Sequence, residues 1–182
     1  DVIFTNPNKS KIFLGKTILG YAQNLKIICT ASTGTNHIDI NYATQKKISV
    51  LSLTEERNVI NKISSTAEHA FALTMVSIRN IIDANSHVQD GLWDYEKFIG
   101  RQIDGLTVGI IGYGRLGSLY GKYCKSFGPK ILAYDPYKEI SDPEIIQVEN
   151  IDHIFVNSDV ISIHVHVTDK TIKMINKSSF KK

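Results

Sequence analysis

The stretch Gly109-Ile110-Ile111-Gly112-Tyr113-Gly114-Arg115-Leu116-Gly117 constrains this chain more than any other. It holds Gly112-x-Gly114-x-x-Gly117 between two patterned segments. Thr107 to Gly112 reads as a strand, and Leu116 to Phe127 reads as a helix. Glycines at these spacings allow a tight turn, close approach of a pyrophosphate to the backbone, and tight helix-strand packing. The helix start then offers free N–H groups and the positive end of its dipole to phosphate. Arg115 adds a charge there. The next strand, from Lys130, ends at Asp135, 18 positions after Gly117. A carboxylate at that place accepts ribose hydroxyls and repels a ribose 2′-phosphate, so the pattern points to NAD over NADP.

The rest of the chain alternates in the same way. Val2 to Thr5, Lys26 to Thr30 and Ile48 to Leu53 read as strands. Ile12 to Asn24 and Ile40 to Lys47 read as helices. Ser64 to about Ala84 carries one apolar stripe, through Ala67, Ala70, Phe71, Thr74, Ile78 and Ile81, with Ser64 or Ser65 as its cap. A polar, glycine-bearing connection follows, with Trp93 as a packing anchor. Beyond Gly117 come strands Lys130–Asp135, Ile145–Val148 and Val160–Val165, a helix Ile151–Asn157, and a last helix from near Asp169. Alternating strands and helices specify α/β parallel sheets with crossover helices.

Composition narrows the function classes. A net charge of +3 in 182 residues is too weak and too spread for a nucleic-acid partner. No apolar run is long enough for a membrane span. Cys29 and Cys124 make neither a disulfide framework nor a metal spacing; they read as buried thiols of a cytoplasmic protein. The glycosylation patterns Asn8-Lys9-Ser10 and Asn176-Lys177-Ser178 read as chance. Leu14 to Thr17 imitates the end of a phosphate-binding P-loop, but Ser10 stands where that loop needs glycine. His164 and His166 flank Val165 on one face of a strand, with no third ligand evident, so no metal is expected. His69 reads as a hydrogen-bonded structural residue.

Four segments together resemble the D-isomer-specific 2-hydroxyacid dehydrogenases. They are STGTNHIDI (Ser32–Ile40), SSTAEHAFALTM (Ser64–Met75), GLTVGIIGYGRLG with YDPY (Gly105–Gly117, Tyr134–Tyr137), and HVHVTDKTIKMIN (His164–Asn176). The resemblance implies a partial flavodoxin-like substrate domain over 1–84, less its first strand. A Rossmann-type, doubly wound cofactor domain over 85–182, lacking its last strands, would follow. It implies hydride transfer between NAD and a 2-hydroxy or 2-keto acid, and a homodimer through the cofactor domain with the Trp93 region as an arm.

Residue by residue, the resemblance implies that Thr33 and Gly34 offer N–H groups to the substrate carboxylate. Thr66 would lie near the nicotinamide. Gly112, Tyr113, Gly114, Arg115, Leu116 and Gly117 would form the pyrophosphate turn. Asp135 and Pro136 would sit at the adenosine ribose, and His164, Val165, His166 and Thr171 would line the cofactor pocket. His166 stands where the family usually has proline, and Asn36 where it often has aspartate. The family's carboxylate-gripping arginine and its glutamate–histidine pair fall beyond Lys182, so the chain is expected to begin and end within domains and to be inactive alone. A non-catalytic NAD-binding or corepressor-like protein of the same fold is the alternative.

Overall fold

The computed structural model describes residues 1–7 and 11–181. The pattern Asn8-Lys9-Ser10 therefore lies outside the described residues. Packing divides the chain into two compact units, Asp1–Ile63 and Ser64–Lys182. The long helix thus packs with the second unit, whereas the family resemblance implied a division after residue 84. The reason is its apolar face: Ala67, Ala70 and Phe71 join the core beneath the second sheet.

The first unit is a parallel three-stranded sheet, order β1-β2-β3, made of β1 (Val2–Thr5), β2 (Ile27–Thr30) and β3 (Ser49–Leu51). Helices α1 (Lys16–Leu19) and α2 (Ile40–Gln45) supply Leu19 and Ala43 to a core with Ile28, Ile38 and Ile48. The expected helix over 12–24 shrinks to one turn. Gly15 and Gly20 bound it, and Leu14 instead bridges Ile38 in strand fashion. Asp39 caps α2, its Oδ1 accepting the Tyr42 N–H at 2.9 Å. A short α3 (Arg57–Ile60) closes the unit.

The second unit opens with α4 (Ser65–Ile78) and α5 (Ile81–Gln89). The apolar stripe predicted one helix to about residue 84. It breaks at Asn80, which takes the left-handed conformation (φ 51°) that asparagine tolerates better than most residues. Ser64 occupies the cap position of α4, but its hydroxyl donates to Glu68 rather than capping the backbone. A short 3-10 turn (Tyr95–Phe98) leads back to α4, where Arg101 donates to the Ile78 carbonyl at 2.9 Å. Trp93 is 82% exposed and anchors nothing within the unit.

Its sheet has the parallel order β6-β5-β4-β7: β6 (Ile145–Gln147), β5 (Lys130–Tyr134), β4 (Thr107–Ile111) and β7 (Val160–Ile163). Both central strands are buried on both faces. Val108 and Ile110 of β4 pack with Tyr120 and Cys124 of α6 (Arg115–Lys125). Ile111 of β4 packs on the other face with Ile154 of α7 (Ile151–Asn157). Each fully buried side chain of this size contributes about 1.5–3 kcal/mol through area removed from water. The expected last helix near Asp169 is absent; turns run there, ending in a 3-10 segment (Ser179–Lys181). Among the described residues, no helix is long and apolar enough to cross a membrane.

Candidate functional site

The chain enters the second sheet at β4, winds outward through β5 and β6, and returns to the other side of β4 as β7. The order therefore reverses beside β4. In open parallel sheets, ligands settle at the carboxyl ends of strands at such a reversal. The glycine turn stands there, and each glycine has its own reason. Gly112 has φ 87°, and an added Cβ would lie 2.7 Å from Val165 Cγ1 and 2.9 Å from the His164 carbonyl. At Gly117 an added Cβ would collide with the Gly112 carbonyl, so glycine lets α6 seat against the turn. Around Gly114 an added Cβ would meet nothing within 4 Å. That open face lies at the N-terminus of α6, where backbone N–H groups point outward. It is a cradle that suits a pyrophosphate.

Tyr113 enters this site by its backbone. Its ring is buried, and its N–H donates to Asp135 Oδ2 at 2.9 Å. Asp135 Oδ1 accepts the Tyr137 N–H at 3.0 Å. Each carboxylate oxygen keeps a further lone pair for a ribose hydroxyl. Lys138 Nζ donates to the Tyr113 carbonyl at 3.3 Å and lies 5.7 Å from the centre of its ring. The loop after β5 thus grips both polar groups of the Tyr113 backbone. Nothing in the sequence marked Lys138, because an isolated lysine in a polar loop reads as surface. Leu116 packs on the core, Arg115 is half-buried at the first helical position, and Pro136 is exposed beside Asp135.

His164 and His166 differ, although the sequence pattern put them on one strand face. The strand ends at Ile163. His164 is half-buried, its Nε2 2.8 Å from Ser162 Oγ and its ring 5.2 Å from that of Tyr120. Burial lowers its pKa below the ordinary histidine range, which favours the neutral ring. His166 is exposed, and its carbonyl accepts the Thr171 hydroxyl at 2.6 Å. Thr171 Oγ1 also accepts the Thr168 N–H at 2.8 Å, so this hydroxyl ties the loop where the family usually has proline. Val165 packs against the Ile111 cluster.

Behind the turn, Tyr120 OH and Thr74 Oγ1 share a buried hydrogen bond of 2.8 Å that links α6 to α4. Burial pushes the Tyr120 hydroxyl well above its usual pKa and the Cys124 thiol up to about 11, so both stay protonated. Thr66 is exposed in the first turn of α4. His69 is exposed and its ring makes no hydrogen bond among the described residues, against the structural role expected for it. Cys29 is only half-buried, because β2 faces partly outward.

In the first unit, Thr33 and Gly34 lie in the turn after β2. The Thr33 carbonyl accepts the Thr54 hydroxyl at 3.0 Å, and the Gly34 carbonyl accepts the Ser32 hydroxyl at 2.7 Å. Their N–H groups donate to nothing among the described residues. Pinned carbonyls and free N–H groups have the chemistry that suits an anion.

Residues 71–182 match the D-isomer specific 2-hydroxyacid dehydrogenase, NAD binding domain. The chain is 38% identical over 176 residues to D-3-phosphoglycerate dehydrogenase of Archaeoglobus fulgidus, covering 96% of this chain and 32% of that protein. It is 36% identical over 165 residues to hydroxypyruvate reductase of Thermotoga maritima, covering 91% and 52%. A crystal structure of D-lactate dehydrogenase from Aquifex aeolicus, complexed with NAD and lactic acid, superposes with a TM-score of 0.87. The identity is 30%, and the match covers 98% of this chain and 52% of that one. The chain thus spans between about a third and about a half of the length of these relatives.

Proposed function

The chain belongs to the D-isomer specific 2-hydroxyacid dehydrogenase family, and from that premise we propose that it holds NAD and the 2-keto or 2-hydroxy acid for their interconversion. The observation that carries this reading is the glycine turn at the reversal of strand order, with open space at Gly114 and the Asp135 carboxylate beside it. When bound, the nicotinamide gives or takes the hydride. The Gly114 and Arg115 N–H groups, with Gly112 and Gly117 shaping the turn, receive the pyrophosphate. Asp135, with Pro136 alongside, takes the adenosine ribose. Thr66, His164, Val165, His166 and Thr171 line the remaining cofactor pocket, and Leu116 buttresses the turn. The free N–H groups of Thr33 and Gly34 take the acid's carboxylate.

Exposed apolar groups along α5 and the following turn, among them Ile82, Val88, Trp93 and Ile99, support a homodimer through the second unit. The two unpaired thiols suit a cytoplasmic setting. Reduction of a ketone needs a proton donor at the carbonyl oxygen and a cation to fix the carboxylate. No position matching the family's motifs in residues 1–182 supplies either. The purified 182-residue chain is therefore expected to show no NADH oxidation with a panel of 2-keto acids, followed at the NADH absorbance. Measurable turnover would overturn that expectation.

A further inference from the structure

No cis peptide occurs among the described residues, so the Tyr113 carbonyl and the Gly114 N–H point in opposite directions within one plane. Whatever holds that carbonyl therefore aims that N–H. Lys138 Nζ holds it, at 3.3 Å. Lys138 makes no ion pair among the described residues. The Gly114 N–H itself donates to nothing among them, and glycine does little to fix its own backbone. Lys138 in turn needs an anchor, because it is exposed on a loop and a free lysine samples many rotamers. Gln147 of β6, in register with Ala133 of β5, supplies one. Its Oε1 accepts the Ile140 N–H at 2.8 Å. Its Nε2 donates to the Lys138 carbonyl at 2.8 Å and to the Asp135 carbonyl at 3.3 Å. One neutral side chain thus clamps both ends of the loop and the lysine between them, which takes an acceptor and two donors together.

We infer that Lys138 is a positioning residue for the cofactor: clamped by Gln147, it aims the Gly114 N–H at the pyrophosphate. The inference rests on the reading of this turn as the pyrophosphate cradle. A path of contacts runs from β6 to the turn, from Gln147 through Lys138 to the Tyr113 carbonyl, and Gln147 reaches the turn only through that loop. A hydrogen bond to a charged oxygen is worth more than one to a neutral group, and it weakens steeply when misaligned. The direction of one N–H is therefore enough to be felt in affinity. A bare charge on Lys138 would act without Gln147, so the neutral amide separates positioning from charge.

The test uses the full 182-residue chain, labelled with 15N-glycine so that the Gly114 N–H is read by NMR. NAD and adenosine are the probes, since adenosine keeps the ribose and lacks the pyrophosphate. Lys138 and Gln147 are both exposed, so their variants are expected to fold. Lys138→Met should weaken NAD about tenfold and adenosine less than about twofold. It should also shift the Gly114 resonance of the ligand-free chain, and Lys138→Arg should restore most of both. Gln147→Met, which removes no charge, should weaken NAD about threefold and shift Gly114 in the same direction. Unchanged NAD affinity in Lys138→Met, equal losses for NAD and adenosine, or a loss that Gln147→Met does not share would overturn the inference while leaving the cradle standing. If NAD does not move the Gly114 resonance of the unaltered chain, the cradle itself fails, and the inference with it.

Discussion

The two units hold their candidate binding turns by different physics. In the second unit the turn is set by close packing. Gly117 lets α6 touch the Gly112 carbonyl, Gly112 lets the His164–Val165 segment approach, and a core buried on both faces of β4 stands behind them. In the first unit the turn is set by hydroxyls. Ser32 and Thr54 hold two carbonyls, and the sheet beneath is thinner, with Phe4 76% and Leu51 54% exposed. Packing tolerates almost no added volume, whereas a side-chain hydrogen bond can be removed for about 1 kcal/mol. Errors in the second unit should therefore be costly and local in kind; errors in the first should be mild.

The glycine turn offers the largest effect. Gly117→Ala should destabilise the second unit by about 3 kcal/mol, since the added methyl meets backbone that cannot give way. Thermal unfolding of the chain would show it. Gly114→Ala should alter stability by less than about 1 kcal/mol, because its methyl enters open space. It should nonetheless weaken NAD binding, because that space is where the pyrophosphate is proposed to lie. If both substitutions behave alike, packing is not what separates the two glycines.

A smaller effect belongs to the first unit. Thr54→Val removes the hydroxyl that holds the Thr33 carbonyl and should cost about 1 kcal/mol in denaturant unfolding. NAD affinity should stay unchanged. A loss as large as that of Gly117→Ala would erase the contrast between the units.

How much of this was legible in the sequence follows the same divide. The glycine turn, β4 and β5, the helix over Ile151–Asn157 and the place of Asp135 beside that turn were all readable, because they depend on local patterns and backbone-limited spacing. The strands of the first unit were readable too, though β3 ended sooner than its apolar run. The helix over 12–24 failed because two glycines and the Leu14–Ile38 bridge outweighed an apolar pattern. The break at Asn80 failed for the opposite reason: the stripe continued on either side of a single left-handed residue. Lys138 and Thr54 carried no signal, since a lysine or hydroxyl that holds a carbonyl looks like any polar loop residue until the fold brings the carbonyl to it.

The turn at Gly112–Gly117 and the carboxylate of Asp135 are proposed to form one NAD site. Asp135 touches the turn through the Tyr113 N–H, so the same carboxylate that shapes the turn is the one proposed to read the ribose. Calorimetric titration of NAD and NADP into the 182-residue chain and its Asp135→Ala variant tests this most directly. NAD is expected to bind at least about tenfold tighter than NADP, and Asp135→Ala to weaken NAD and narrow the difference. NADP binding as tightly as NAD, or an NAD affinity untouched by Asp135→Ala in a folded chain, would contradict it.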